Sequence, residues 1–354
     1  MIKKLRFRKN RENHTIKLCF SLLVFVFISS PVYSQKNIFL PSNSTRVRAL
    51  GLAGAVTAVQ DNIGSTAFNP GTYVFYSARD GFRFSINLSP FMPVLIARYP
   101  NDFFGNIAFD TKDKLYAGLL SLIKSINLNY RSLNIGIILG EPNYLSPEST
   151  VNNKFIYNQA LYSNHTNTFM LNFQLAEQVA IGAGLHLMYY DEGKNRFHAF
   201  ATSYGIMMQP KPLFRVGVSI FNLPPELQNS KELYDEVKNE AINIGTAIFL
   251  PYKNMLSFDI RNLALGSSVA KEKYLIGFEN TLGGQIALRC GMKLVDFSSQ
   301  PAYTFGIGLF DSNFYHNFRY RLKTNNYLIN YAILIDTFDY QKYFIHTFSF
   351  TIHL

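Results

Sequence analysis

The sequence predicts an all-β fold, a transmembrane, antiparallel, up-and-down β-barrel of about 14 strands, or about 16. Two observations lead to this fold class. Segments of roughly ten residues alternate between apolar and polar side chains through the second half of the 354-residue chain. The chain also begins with a leader that is typical of exported proteins.

The alternation follows from strand geometry, because successive side chains of a strand point to opposite faces. In residues 168–175, Phe169, Leu171 and Phe173 share one face and Asn172 lies on the other. The same division recurs in residues 255–262, 285–294 and 316–323. Each segment therefore reads as a strand with one apolar and one polar face.

Strand length separates a membrane barrel from a soluble β-sandwich, whose strands also alternate. Strands of soluble proteins average about 5 or 6 residues, whereas a tilted strand that crosses a bilayer needs about 9 to 11. Lipid offers the backbone no hydrogen-bond partners, so a spanning sheet has to close on itself. The long alternating segments favour the barrel, and the 32 Phe and 22 Tyr fit aromatic girdles at the membrane surfaces.

Residues 1–34 are predicted to be a secretory signal peptide, cleaved before Gln35. Its apolar stretch, residues 18–28, is too short for a membrane-spanning helix. Removing the leader lowers the formal net charge from +11 to +5, because seven of the 34 basic and one of the 23 acidic residues leave with it. A nucleic-acid partner is therefore not expected. The single remaining cysteine, Cys290, excludes an internal disulfide.

The mature chain is predicted to have two parts. Residues 35–80 form an N-terminal plug or hatch segment, and residues 81–354 form the barrel. Long connections, residues 141–167 and 223–240, alternate with short turns, as expected of outer-membrane barrels. The second long connection is predicted to contain a short surface helix. Residues 115–124 fit either a strand or a helix.

The segment ahead of the first strand is rich in small residues, since six Ala or Gly lie between positions 49 and 58. It resembles the N-terminal signature of the FadL-like outer-membrane proteins, especially the PorV-like branch. That signature has an Arg-x-x-Ala-Leu-Gly opening, a Gly-Ala pair, an Ala-Val-x-Asp stretch and an Asn-Pro-Ala element. The matching residues are Arg46, Ala49, Leu50, Gly51, Gly54, Ala55, Ala58, Val59, Asp61, Asn69 and Pro70. Gly71 departs from it, because it stands where alanine is usual.

The resemblance implies a barrel of about 14 strands whose N-terminal segment packs in or beneath the lumen. It also implies two alternative functions. One is a FadL-like passive channel for hydrophobic small molecules such as fatty acids. The other is an accessory of protein secretion of the type IX kind. The expected location is the outer membrane of a Gram-negative bacterium, with outer-membrane lipid and the barrel-assembly machinery as partners.

No catalytic, cofactor-binding or metal-binding residue is predicted. Among the mature histidines, only His186 lies on a polar, lumen-facing stripe of a clear strand. A catalytic histidine needs a nucleophile and an orienting carboxylate within hydrogen-bond reach. The sequence does not place Asp259 or another acid beside it. A structural histidine is the favoured interpretation, and a barrel enzyme is the least favoured function.

A basic stripe is predicted to face the lumen. Its members are Arg83, Arg131, Arg261, Arg289, Lys293, Arg319 and Arg321. Two interpretations stay open at this point. The stripe attracts carboxylates or other anions into the lumen, or it binds the backbone of the plug and the lumen carboxylates, as buried charges require.

The last strand is predicted to close the barrel against Phe82–Leu88. Its lipid-facing residues are expected to be Phe348, Phe350, Ile352 and Leu354. The alternate residues Thr347, Ser349, Thr351 and His353 are expected to face inward.

Overall fold

The computed structural model describes residues 35–39, 46–60, 63–72, 82–90, 92–94, 111–142, 165–192, 195–222, 241–264, 272–282, 286–295, 300–309, 326–338 and 341–353. The predicted signal peptide, the predicted strand at 316–323 and the predicted helix in 223–240 lie outside them. Within the described ranges, no helix is both long and apolar enough to cross a membrane.

Within the described residues, fifteen strands form one sheet. They are β1 (Gln35–Phe39), β2 (Phe82–Leu88), β3 (Ile123–Tyr130), β4 (Leu133–Pro142), β5 (His165–Ala176), β6 (Val179–Glu192), β7 (Asn195–Lys211), β8 (Phe214–Asn222), β9 (Ala241–Leu250), β10 (Asn254–Ala264), β11 (Lys273–Leu282), β12 (Ile286–Val295), β13 (Ala302–Leu309), β14 (Asn326–Phe338) and β15 (Gln341–His353). The described part also contains helices at Val47–Gly51 and Thr111–Leu122 and 3-10 turns at Pro70–Thr72 and Pro251–Lys253.

Strands β2 to β15 form a closed antiparallel barrel of fourteen strands. Each strand pairs with its neighbours in sequence, and β15 returns to pair with β2, with Phe350 opposite Leu88 and His353 opposite Ser85. Closure gives every strand of the barrel a neighbour on both sides. The predicted fold class and strand number are confirmed.

The seam of the barrel also contains β1, which runs parallel to β15. Gln35 lies beside Lys342, and Phe39 lies beside His346. Strand β2 pairs with the same edge of β15 only from Phe350 onward. Two short strands therefore share this edge, and the predicted plug segment 35–80 supplies one of them.

The two ends of the barrel are named here by two of their connections. At one end, here called the turn end, residues 131–132 and 177–178 join neighbouring strands, and so does the longer connection 310–325. At the other, the loop end, residues 143–164 and 223–240 connect them. The ambiguous stretch 115–124 is helical up to Leu122 and becomes strand β3 from Ile123.

The wall has its apolar face outside. On β10, Phe258 and Ile260 are exposed on the outer surface, whereas Ser257, Asp259 and Arg261 are buried on the inner one. Soluble proteins rarely expose such continuous apolar surface. Polar inside and apolar outside is the arrangement of a transmembrane barrel.

Candidate functional site: a plug in the lumen

Residues 46–60 and 63–72, here called the plug, lie inside the barrel. Leu52, Ala55 and Ala58 are completely buried. Leu52 and Ala58 join an apolar cluster with Ala247 of β9 and Met255 of β10. The apolar core of the protein therefore sits in the lumen, between the plug and the wall.

Eight glycines of the wall make room for the plug. This glycine belt comprises Gly136, Gly182, Gly205, Gly217, Gly245, Gly277, Gly291 and Gly306. A Cβ on Gly291 would lie 2.7 Å from the nitrogen of Ala53, and one on Gly277 would lie 2.9 Å from the oxygen of Leu52. Such separations are too short for real atoms, so the plug backbone packs directly on the backbone of the wall.

The Asn69-Pro70 element ties two parts of the plug to three strands. Asn69 Nδ2 donates to the carbonyl oxygen of Thr57 at 2.7 Å and to that of Ile206 in β7 at 3.1 Å. The carbonyl oxygen of Pro70 accepts from Asn172 Nδ2 of β5 at 2.9 Å. Both residues also lie against the paired glycines Gly182 and Gly205 of the belt. The Asn-Pro element is thus a point of attachment.

Gly71 stands where the family signature has alanine, and packing explains this difference. A Cβ at this position would lie 2.8 Å from the carbonyl carbon of Ile206. The Gly71 nitrogen donates to Asn69 Oδ1 at 2.8 Å, which fixes the turn in place. Alanine would collide with strand β7, so this barrel requires glycine here.

Asp259 of β10 binds the middle of the plug. Its Oδ2 accepts hydrogen bonds from the backbone nitrogens of Val56 at 2.9 Å and Thr57 at 2.8 Å. Arg261 lies 3.4 Å from the same oxygen and donates to the carbonyl oxygen of Gly54. Together they provide an acceptor for the N–H groups of the plug and a donor for a carbonyl group, as buried backbone requires.

Two arginines lie over the ring of Phe68 in the plug. The Arg261 guanidinium is 4.1 Å from the ring centroid and that of Arg46 is 5.4 Å away, both within cation–π range. Arg46 also donates to Glu141 of β4 through Nε at 2.9 Å. The ion pair with Glu141 therefore holds the start of the plug on the wall, and the contact with Phe68 holds it on the end of the plug.

A buried ion triad, here called the charge latch, consists of Arg48, Glu279 and Arg289. Arg48 binds both carboxylate oxygens of Glu279 at 2.9 Å and donates to the carbonyl oxygen of Gln60 at 2.7 Å. Arg289 reaches Glu279 at 2.6 Å and Asn330 at 2.8 Å. One fully buried carboxylate on β11 thus joins the plug arginine to a wall arginine. The charges can be buried because they are paired in good geometry.

The structure separates the members of the predicted basic stripe. Arg261 and Arg289 lie buried in the lumen and bind the plug or its partners, while Lys293 is partly exposed on β12. Arg131 is wrongly placed by the sequence pattern. It lies exposed in the turn after β3 with φ of 54°, next to the ring of Tyr130. The Arg83 side chain, Arg319 and Arg321 lie outside the described part.

The predicted plug residues and closing residues fall as follows. Arg46, Ala49, Gly51, Gly54, Ala55, Asn69 and Pro70 lie in the plug, and Asp61 is outside the described residues. On β15, Phe348, Phe350 and Ile352 are partly exposed, Thr347, Ser349 and Thr351 are buried, and Leu354 is outside the described residues.

His186 is buried between two hydroxyl groups. Its Nδ1 lies 2.9 Å from Thr168 Oγ1 and its Nε2 lies 2.8 Å from Ser203 Oγ. Asp259, the carboxylate considered as its partner, is used by the plug. This geometry favours the structural role over catalysis. Among the described residues, no group of His, Cys, Asp and Glu is suited to hold a metal ion.

Sequence reasoning missed Arg48, Glu279 and the glycine belt. Arg48 directly precedes a run of small apolar residues, and Glu279 is an acid two residues after Gly277 on the inward stripe of β11. A charge expected to be buried in either setting needs a partner, which is the signal that could have found the latch.

The outer wall carries an apolar groove of about 620 Å³. Leu171, Phe173, Tyr204 and Ile220 line it, all with exposed outward side chains. Gly182 and Gly205 lie at its floor. Because these two glycines contact Pro70 and Asn69 on their inner side, the wall between groove and plug is one backbone layer thick.

The fold and the site define a transmembrane β-barrel with an internal plug. No family model matches the chain, and no curated protein matches its sequence. Solved structures resemble it weakly. The toluene transporter TbuX of Ralstonia pickettii is 11% identical, with a TM-score of 0.45, over 88% of this chain and 97% of TbuX. The monoaromatic hydrocarbon channel CymD is 10% identical, with a TM-score of 0.44, over 87% and 95%. A triple mutant of the Rhodopseudomonas blastica porin is 8% identical, with a TM-score of 0.33, over 65% and 75%.

Proposed function

We propose that this chain is an outer-membrane transport barrel whose lumen is closed by its own plug. The observation that carries the proposal is the plug itself. Barrels of about 8 strands are filled by their side chains, whereas those of about 16 to 18 leave an aqueous channel. A barrel of fourteen strands therefore has room for a passage, and here a segment of the same chain occupies it.

The attachments of the plug suit a gate. The contacts described above are side-chain hydrogen bonds, ion pairs and close packing, and the wall closes through its own strand pairs. The plug can therefore shift without breaking the wall. A conformational change then needs only a ligand that binds the shifted state better than the closed one.

Hydrophobic small molecules are the proposed cargo, as the FadL-like resemblance implies. The apolar groove supports this choice, because it presents an apolar surface directly outside the Asn69-Pro70 attachment. Apolar pockets with few polar groups take apolar ligands. The secretion-accessory role that the PorV-like resemblance implies stays a prediction.

Deletion of the encoding gene separates these functions. Uptake of a labelled fatty acid and of toluene is measured beside the set of surface-exported proteins, with the wild-type gene restored as the control. Transport predicts reduced uptake, unchanged export and recovery on restoration. Loss of exported proteins with normal uptake would assign the secretion role, and no change in either would remove both functions.

A further inference from the structure

Hairpin turns at the turn end of the barrel combine exposed apolar side chains with cations. Three of the four turns that the structure describes there carry the combination. These residues, here called the turn-end collar, are Tyr130 with Arg131, Leu213 with Lys211, and Tyr252 with Lys253. The apolar members are 47%, 63% and 60% exposed, and all three cations are exposed as well. The collar therefore presents apolar and positively charged surface together at one end of the barrel.

The backbone of the collar is strained where it presents these side chains. Arg131, Tyr252 and Lys253 have φ of 54°, 63° and 59°. Glycine, asparagine or aspartate is usual at such left-handed positions of a turn, because larger side chains crowd the backbone. The side chain of Asn254 supports the strained turn, since its Nδ2 donates to the carbonyl oxygen of Pro251 at 2.7 Å. Backbone strain that a structure maintains is a pointer to function, so these residues serve through their side chains.

Two of the collar turns form one continuous surface. The carbonyl oxygen of Leu213 accepts a hydrogen bond from the backbone nitrogen of Phe249 at 2.9 Å, just before the turn that carries Tyr252. Leu250, between Phe249 and that turn, is 42% exposed. Leu213, Leu250 and Tyr252 thus form an apolar edge, and each of the two turns adds its exposed cation to it.

The position and the charge of the collar indicate what contacts it. The apolar outer face of the wall continues to these turns, as Leu175 shows, which is 57% exposed beside the turn 177–178. The turns therefore lie where the hydrocarbon of the bilayer meets the headgroups, the depth at which tyrosine is enriched in membrane proteins. Among the described turns of this end, Glu177 is the only acid against the three cations of the collar. An anionic partner at the membrane surface fits both observations.

We infer that the turn-end collar docks the phosphate groups of anionic phospholipids in the leaflet at this end of the barrel. Lysine and arginine bind phosphate through charge-assisted hydrogen bonds, and their long stems can follow apolar surface up to the headgroups. The exposed tyrosines and leucines supply that apolar surface beside the acyl chains. This lipid site goes beyond the proposed transport function and does not depend on it.

A single tryptophan can report which lipid touches the collar, because the chain contains none. Full-length Tyr252→Trp protein is reconstituted in mixed vesicles of phosphatidylcholine and phosphatidylglycerol, one of which carries bromine atoms that quench tryptophan fluorescence. The relative quenching by the two brominated lipids gives the preference of the site for the anionic one. We expect phosphatidylglycerol to be preferred. Lys211→Gln and Lys253→Gln should each lower this preference about fivefold, the attraction that one cation adds at an anionic membrane surface.

Two controls separate the collar from the rest of the protein. Lys112→Gln removes an exposed cation at the loop end and should leave the preference at position 252 unchanged. Leu185→Trp, at an exposed position of β6, should be quenched equally by both lipids. Equal quenching of Tyr252→Trp by both lipids would overturn the proposal. Quenching by neither lipid would also overturn it: access of aqueous iodide would then place the collar in water, and exclusion of iodide would place it against a second copy of the chain.

A second measurement covers the case in which Tyr252→Trp misfolds. The temperature at which the barrel unfolds on a gel is compared between vesicles with and without phosphatidylglycerol. Phosphatidylglycerol should raise this temperature for the wild type and raise it less for the double variant Lys211→Gln, Lys253→Gln. An equal rise in the two proteins would overturn the proposal.

Discussion

The substitution Glu279→Gln tests the charge latch. It keeps the shape of the side chain but removes the carboxylate that pairs with Arg48 and Arg289 at 2.9 and 2.6 Å. Removing one partner of a buried ion pair costs about 3 to 5 kcal/mol, because the remaining charge stays buried without compensation. Since about 1.4 kcal/mol is a factor of ten, the displaced state of the plug gains roughly a hundredfold to a few thousandfold in population.

The assay is ion conductance of the purified protein in planar bilayers. Glu279→Gln is expected to open frequently, whereas the wild type stays closed. Glu272→Gln provides the matched control, because it removes the same charge from an exposed position just before β11. Replacing Arg48, Glu279 and Arg289 together by methionine should restore the closed state, since well-packed apolar residues can substitute for a buried ion triad.

One result would refute the reasoning about the latch. If folded Glu279→Gln conducts no more than Glu272→Gln, the triad does not hold the plug. Opening of the triple methionine variant to the same extent as Glu279→Gln would show instead that packing, and not the uncompensated charge, sets the closed state.

Three further predictions concern the belt, the seam and the wall. Gly291→Ala places a Cβ 2.7 Å from the nitrogen of Ala53 and should raise conductance, whereas Gly118→Ala, with open space around it, should not. Deleting residues 35–39 uncovers part of the edge of β15 and should lower the temperature at which the barrel unfolds on a gel; an unchanged temperature would mean that β1 does not support the seam. Phe350→Asp puts a charge on the outer face, where lipid disfavours it, and should block membrane assembly, while Phe350→Leu should assemble; normal assembly of the aspartate variant would count against a lipid-facing wall.

Much of the fold could be predicted from the sequence because a membrane barrel has a simple period. Alternation placed Ser257, Asp259 and Arg261 on one face of β10, and the structure buries all three in the lumen. The need to close the barrel without free edges predicted that the last strand pairs with Phe82–Leu88, and the structure pairs these two strands. These predictions succeed because the lipid-facing surface decides which side chains of a strand point outward, and the neighbouring strand fixes the pairing.

The site was less predictable. Periodicity shows on which face of a strand a residue lies, but it shows neither the position of that residue along the barrel axis nor the residue that it contacts. Arg48 and Glu279 are 231 residues apart, so only the closed barrel brings them together. The prediction that Arg131 faces the lumen was wrong for a local reason. Strand β3 ends one residue earlier, at Tyr130, and the positive φ of Arg131 carries the chain into a turn. The small residues of the plug were visible in the sequence, but the glycines that receive them are distributed over eight strands.

The central claim is that the plug closes a barrel that would otherwise be open. The most direct test is the bilayer conductance of a variant that lacks residues 46–72, compared with the full chain, after both have been shown to migrate as folded barrels. The account predicts a steadily open channel for the deletion variant and a closed one for the full chain. A folded deletion variant that stays closed, or a full chain that conducts equally well, would contradict it.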